Sequence, residues 1–148
     1  MPKIRCLLTD DHTLFRQGVR RLLETESDFE VVGEASDAGE SVEKARELRP
    51  DLILLDIGLP KLNGIEAARS IRNLSPESRI LFLTQESSVD LVEAALATGA
   101  EGYVLKASAS CDLMPAIAAV LYNRRFVSDA VCQDLQSPLW DKEAREVV

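Results

Sequence analysis

Five polar side chains stand at the ends of apolar runs. Asp10 and Asp11 follow CLLT, Asp56 follows LILL, Thr84 closes RILFLT and Lys106 closes GYVLK. Three carboxylates held within a few ångströms repel one another, so they take up protons or surround a cation. Oxygen-only donors, with no clustered His or Cys, select a hard ion, for which Mg2+ is the natural choice. A Mg2+ held by one or two carboxylates keeps positions open for phosphate. A threonine hydroxyl and a lysine ammonium both suit phosphoryl oxygens.

Taken singly, each residue has a plainer reading. Asp10 or Asp11 could cap a helix, and Asp56 could form the turn through Gly58 and Pro60. Thr84 could be a satisfied strand residue and Lys106 a solvated one. The chemical reading needs a fold that collects all five on one edge.

Short apolar runs alternate with longer amphipathic stretches, as such a fold requires. Strands are expected at 3–9, 30–35, 51–56, 79–84 and 101–106. Helices are expected at 13–26, 38–48, from an Asn63 cap to Leu74, at 88–98 ending on Gly99, and from Ser110 to Tyr122. In the first helix Leu14, Phe15, Val19, Leu22 and Leu23 are read as one apolar face. Pro50 stops the second helix. Leu52–Leu55 are four large apolar residues in a row, as in a strand buried on both faces.

Five βα units imply an α/β fold, an open, doubly wound five-stranded parallel sheet. In strand order 2-1-3-4-5, strands one and three flank the crevice where ligands bind, and Asp10, Asp11 and Asp56 converge there. No glycine-rich phosphate loop follows strand one. His12, the single histidine, is read as helping to begin the first helix. Tyr103 shares a face with Leu105 and reads as a core tyrosine.

Composition narrows the classes. The 148 residues suffice for one ordinary domain, and the formal net charge of −8 argues against a basic face that grips nucleic acid. No apolar run approaches the roughly 20 residues of a membrane span. MPKIRCLLTDDH lacks the pattern of a signal peptide, so a cytoplasmic location is expected. Cys6, Cys111 and Cys132 are odd in number and without metal-ligand spacing, and read as reduced thiols.

TDDH, DLILLDIGLPKLNG, LFLT and GYVLK together resemble the receiver domain of bacterial two-component response regulators, a flavodoxin-like fold, from residue 3 to about 122. DDHTLFRQGVRRLL, AEGYVLK and RRFVS look most like the NarL/FixJ branch, whose receivers carry a LuxR-type helix-turn-helix domain. The resemblance implies a receiver at 1–125, a linker at 126–138 and the start of a truncated DNA-binding domain at 139–148. It implies a phosphorylation-activated switch in transcription regulation rather than an enzyme with turnover of its own. Asp56 would accept a phosphoryl group from a sensor histidine kinase. Asp10, Asp11, Asp56 and the Gly58 carbonyl would hold Mg2+. Lys106 and Thr84 would hold phosphate oxygens, with Thr84 and Tyr103 acting as the switch. DNA would be reached only through the missing domain, a homodimer is possible, and no membrane is involved.

The sequence departs from the family at Gln85, where many receivers have a small residue, and at Gly58, which removes a side chain two positions past Asp56. Ala107 follows Lys106 where many receivers have Pro with a cis bond before it, and Leu59 stands where Met is frequent. A phosphatase using an aspartyl phosphate is the competing reading. Such enzymes usually place an acid two residues past the nucleophile, and here that position is Gly58.

Overall fold

A run such as Leu52–Leu55 has no polar side to turn to water, and the fold covers it on both faces. The structure, a computed structural model, describes residues 3–60 and 62–129. In chain order the elements are β1 (Ile4–Thr9), α1 (Thr13–Glu24), β2 (Phe29–Ala35), α2 (Ala38–Leu48), β3 (Leu52–Leu55) and α3 (Gly64–Leu74). They continue with β4 (Arg79–Thr84), α4 (Val89–Leu96), β5 (Gly102–Leu105), a 3-10 turn at Lys106–Ser108, α5 (Ala109–Leu121) and β6 (Phe126–Val127).

The sheet is parallel with order β2-β1-β3-β4-β5-β6. The expected order 2-1-3-4-5 holds, and the expected count of five strands is corrected by β6. Phe126 and Val127 pair with Gly102 and Tyr103, so the segment assigned to a linker from residue 126 begins as an edge strand. Two residues are too short for any periodicity to announce them. From residue 130 onward that linker, and the expected domain start at 139–148, lie outside the described residues.

Strand alternation divides the core in two. Leu7, Ile53, Leu55, Ile80, Phe82 and Tyr103 pack with α2, α3 and α4. Cys6, Leu8, Leu54, Leu81, Leu83 and Val104 pack with α1 and α5. Each large apolar side chain fully buried here contributes about 1.5–3 kcal/mol.

In α1, Val19 and Leu23 are buried, but Leu14 is 85% exposed and Leu22 38%. Leu14 is therefore removed from the expected apolar face, because the inward row runs Phe15, Val19, Leu23 at four-residue spacing. Two helix starts follow the sequence directly: Asp37 and Asn63 accept hydrogen bonds from the backbone N–H of Glu40 and Glu66. Opposite the strand tips, Arg72 of α3 donates to the Ser78 and Gly99 carbonyls and to both Glu101 oxygens, while Glu101 accepts from Ile80 N–H. This knot fixes where β4 and β5 enter the sheet.

Candidate functional site

Register sets the crevice. Thr9 pairs with Leu55, so Asp10 and Asp56 are each the next residue past the last β1–β3 pair. Their backbones remain tied at that point: Asp56 N–H donates to the Thr9 carbonyl at 3.1 Å, and Asp10 N–H to the Ala35 carbonyl at 3.0 Å. Thr84 pairs with Leu105, which places Lys106 one step beyond β5. The strands thus deliver carboxylates and an ammonium to one edge.

Asp10 and Asp56 are buried, at 5% and 2% exposure, whereas Asp11 lies at the surface. Lys106 Nζ reaches between the two buried acids, 2.8 Å from Asp10 Oδ2 and 3.1 Å from Asp56 Oδ2. It also stands 4.7 Å from the Phe15 ring centroid. Burial works to lower the Lys106 pKa, but the hydrogen bond to Asp10 and the charge of Asp56 outweigh it and hold the pKa above the ordinary lysine value. Lys106 is therefore a cation at neutral pH.

The plainer readings of two acids coexist with this role. Asp10 Oδ1 accepts the His12 N–H at 2.9 Å, and Asp56 Oδ1 accepts the Gly58 N–H at 3.2 Å. Each carboxylate spends one oxygen on its own loop and presents the other to Lys106. Arg16 of α1 donates to the Asp10 carbonyl and, at 2.9 Å, to Glu34 of β2, which fixes the loop from behind.

Gly64 sets the back wall. A Cβ at this position would lie 2.0 Å from the Asp56 carbonyl oxygen. Only glycine lets the start of α3 press this closely on the Asp56 backbone. At Gly58 the space where a side chain would stand is open. The Lys106–Ala107 bond is trans, as are all described peptides, and the chain turns directly into the 3-10 segment and α5.

Thr84 and Tyr103 are both fully buried. They meet through the backbone of one residue: Glu86 N–H donates to Thr84 Oγ1 at 3.3 Å, and the Tyr103 hydroxyl donates to the Glu86 carbonyl at 2.6 Å. Tyr103 already lies inward, its ring centroid 6.1 Å from that of Phe82. Burial, with the Glu86 and Asp56 charges, raises its pKa well above the ordinary tyrosine value, so the hydroxyl stays a donor.

His12 stands beside the acid pair. It occupies the N-cap position of α1, as expected of a residue that helps begin the helix, but through its backbone: its carbonyl accepts the Arg16 N–H and its side chain makes no capping bond. The ring turns into the crevice, with Nδ1 3.1 Å from Asp10 Oδ1 and 3.5 Å from Asp11 Oδ1. One ligand atom from each of Asp10, Asp11, His12 and Asp56 lies within 4.8 Å of all the others. The sequence signal was direct adjacency to the acid pair. Three carboxylates, one imidazole and a single lysine leave the crevice with excess negative charge, and oxygen donors prevail among its ligands. The set fits a divalent cation.

Over residues 6–118 the sequence matches the profile described as the response regulator receiver domain. A transcriptional regulatory protein, DegU of Brevibacillus brevis, is 38% identical over 133 residues, covering 90% of this chain and 56% of that protein. A solved two-component response regulator of the LuxR family from Aurantimonas sp. SI85-9A1 is 41% identical, with a TM-score of 0.85 over 90% of this chain and 95% of that one. A structure of two RcsB dimers bound to two parallel DNAs is 28% identical, with a TM-score of 0.83 over 92% of this chain and 72% of that one. The chain spans between 54% and 62% of the length of the curated relatives it matches.

Proposed function

The chain belongs to the response regulator receiver domain family, and from that premise we propose that Asp56 is the phosphoryl acceptor of a two-component switch. The observation that carries this reading is Lys106 Nζ bridging Asp10 and Asp56, both buried at the tips of adjacent strands. One Asp56 oxygen is held by Gly58 N–H, leaving Oδ2 as the attacking atom. An Asp56 oxygen bonds to phosphorus as the P–N bond to a kinase histidine breaks, and the imidazole leaves with its electron pair.

Asp10, Asp11, Asp56 and the Gly58 carbonyl would hold Mg2+. When bound, that ion offsets the repulsion between carboxylate and phosphoryl group and aligns them. Lys106 is positioned to pass from a carboxylate pair to a phosphoryl oxygen without leaving the crevice. Thr84 supplies a hydroxyl from the next strand. Since Thr84 and Tyr103 both bond the Glu86 backbone, a Thr84 that turns toward phosphate gives up its Glu86 bond and loosens the residue the tyrosine holds. The β4–α4 loop is the surface that reports this change.

The donor is a sensor histidine kinase and the output is a DNA-binding domain, in keeping with the transcriptional names of the relatives. A cytoplasmic location belongs to the same proposal. Among the described residues no helix is long and apolar enough to cross a membrane. Faces of α1, α4 and α5 are available for homodimer contacts. The protein catalyses its own phosphorylation and slow hydrolysis, with no further substrate.

Incubation with Mg2+ and acetyl phosphate, followed by intact mass measurement, tests this. A gain of one phosphoryl group that disappears in Asp56→Asn is expected. Rapid donor turnover with no adduct would indicate a phosphatase and overturn the switch.

A further inference from the structure

We infer that Phe15 is a positioning residue for phosphoryl transfer: the face of its ring holds the Lys106 ammonium at the crevice while that ammonium changes partners, from a carboxylate to a phosphoryl oxygen. The inference rests on the proposed roles of Asp56 and Lys106 and adds a residue outside the polar set.

Packing alone does not require an aromatic ring here. Phe15 opens the inward row of α1 ahead of Val19 and Leu23 and rests, partly buried, against the core shared with α5. A leucine would serve that row as well. What leucine lacks is the negative face of the ring. Lys106 Nζ stands 4.7 Å from the Phe15 centroid, inside the roughly 6 Å reach of a cation–π contact. The Lys106 side chain is 12% exposed, so little water screens the attraction, and desolvated contacts of this kind are the stronger ones.

The reaction makes such a contact useful. Lys106 is held by Asp10 Oδ2 and Asp56 Oδ2, and Asp56 Oδ2 is the atom that attacks. With acetyl phosphate as donor, that oxygen bonds to phosphorus while the P–O bond to acetate breaks, and acetate leaves with the electron pair. Once bonded to phosphorus, the oxygen is no longer a full carboxylate anion, and its hold on Lys106 weakens. Hydrogen bonds are directional, so they must break before the ammonium can turn. Attraction to a ring face survives that turn, because it depends on the distance of the charge from the ring and not on where each N–H points. Phe15 thus keeps the cation in place between its two sets of partners. A cavity of about 10 Å3, lined by Leu8, Phe15, Val19, Leu54 and Leu83 among others, adjoins the ring. Alanine at this position would enlarge that void and disturb packing, so the test preserves the shape of the ring.

Phenylalanines bearing one, two and three ring fluorines are placed at position 15 of the full chain by stop-codon suppression. Fluorine drains the negative face and leaves the size of the ring nearly unchanged. Phosphorylation by acetyl phosphate at saturating Mg2+, followed by intact mass, is expected to slow with each fluorine, reaching about three- to tenfold at the third. Phe15→Leu, which keeps the apolar row and removes the ring, is expected to slow it by about as much. In a Lys106→Gln background, slower from the outset, the same series is expected to leave the rate flat, since no cation remains for the ring to hold. A rate with Lys106 intact that ignores fluorination overturns the inference. So does an equal decline in Lys106→Gln, which would assign Phe15 to packing alone. In both cases continued phosphorylation at Asp56 leaves the proposed function standing. No phosphoryl gain in the unmodified protein overturns the proposed function and the inference with it.

Discussion

Gly64→Ala probes the crevice from a residue that touches no ligand. A Cβ at Gly64 would stand 2.0 Å from the Asp56 carbonyl oxygen, 2.8 Å from its carbonyl carbon and 2.9 Å from Ile57 Cα. All three are backbone atoms that cannot rotate aside. Reaching even 3.0 Å from the oxygen requires the α3 start and the Asp56 loop to part by about 1 Å. Overpacking of this kind costs about 1–3 kcal/mol, partly offset by up to about 1 kcal/mol from the better helix propensity of alanine. A 1 Å misplacement of a reacting group costs about 100-fold in rate. Urea unfolding is therefore expected to show a loss of about 1–2 kcal/mol. Phosphorylation by acetyl phosphate, followed by mass, should slow by one to two orders of magnitude. Gly18→Ala is the control: nothing stands within 4 Å of its Cβ position on exposed α1, and a gain of about 0.5–1 kcal/mol is expected. Wild-type stability and rate in Gly64→Ala would refute the claim that close backbone approach positions Asp56.

Burial raises the Cys6 thiol from 9.0 to about 12. The unfolded thiol ionises first, so stability falls as pH rises from 9 toward 12, by up to about 1.4 kcal/mol per pH unit. Cys6→Ala should flatten that slope in pH-dependent urea titrations. Glu101→Ala strips Arg72 of its carboxylate and Ile80 N–H of its acceptor. Since the Arg72–Glu101 pair is about a quarter exposed, a loss of about 1–3 kcal/mol is expected by chemical denaturation. Tyr103→Phe removes only the bond to the Glu86 carbonyl, so a stability change near 1 kcal/mol is expected. Phosphorylation at Asp56 should persist while hydrogen exchange at Glu86 N–H quickens.

The sheet and the strand tips were legible because buried parallel strands are written as short apolar runs, and a run that stops on a charge marks an edge. Leu52–Leu55 followed by Asp56 states both at once. Capping chemistry placed α3, since Asn63 performs in the structure the bond its residue type favours. Features that depend on distance rather than pattern were hidden. β6 is two residues long, Gly64 looks like any glycine at a helix start, and the ring direction of His12 depends on Lys106, 94 residues away. Leu14 misled because hydrophobicity was read without the rotation of the helix.

Ser128 sits at the exit of the fold. Its N–H donates to the Tyr103 carbonyl, its hydroxyl accepts from Leu105 N–H, and the same hydroxyl donates to Asp112 of α5. The chain is thus pinned at Ser128 rather than released at the end of α5. The seven residues from 122 to 128, which could span up to about 25 Å if extended freely, are folded back onto the edge of the sheet instead. The pin therefore ties α5, through Asp112, to β5, the strand that carries Tyr103, so a movement of either is felt at Ser128.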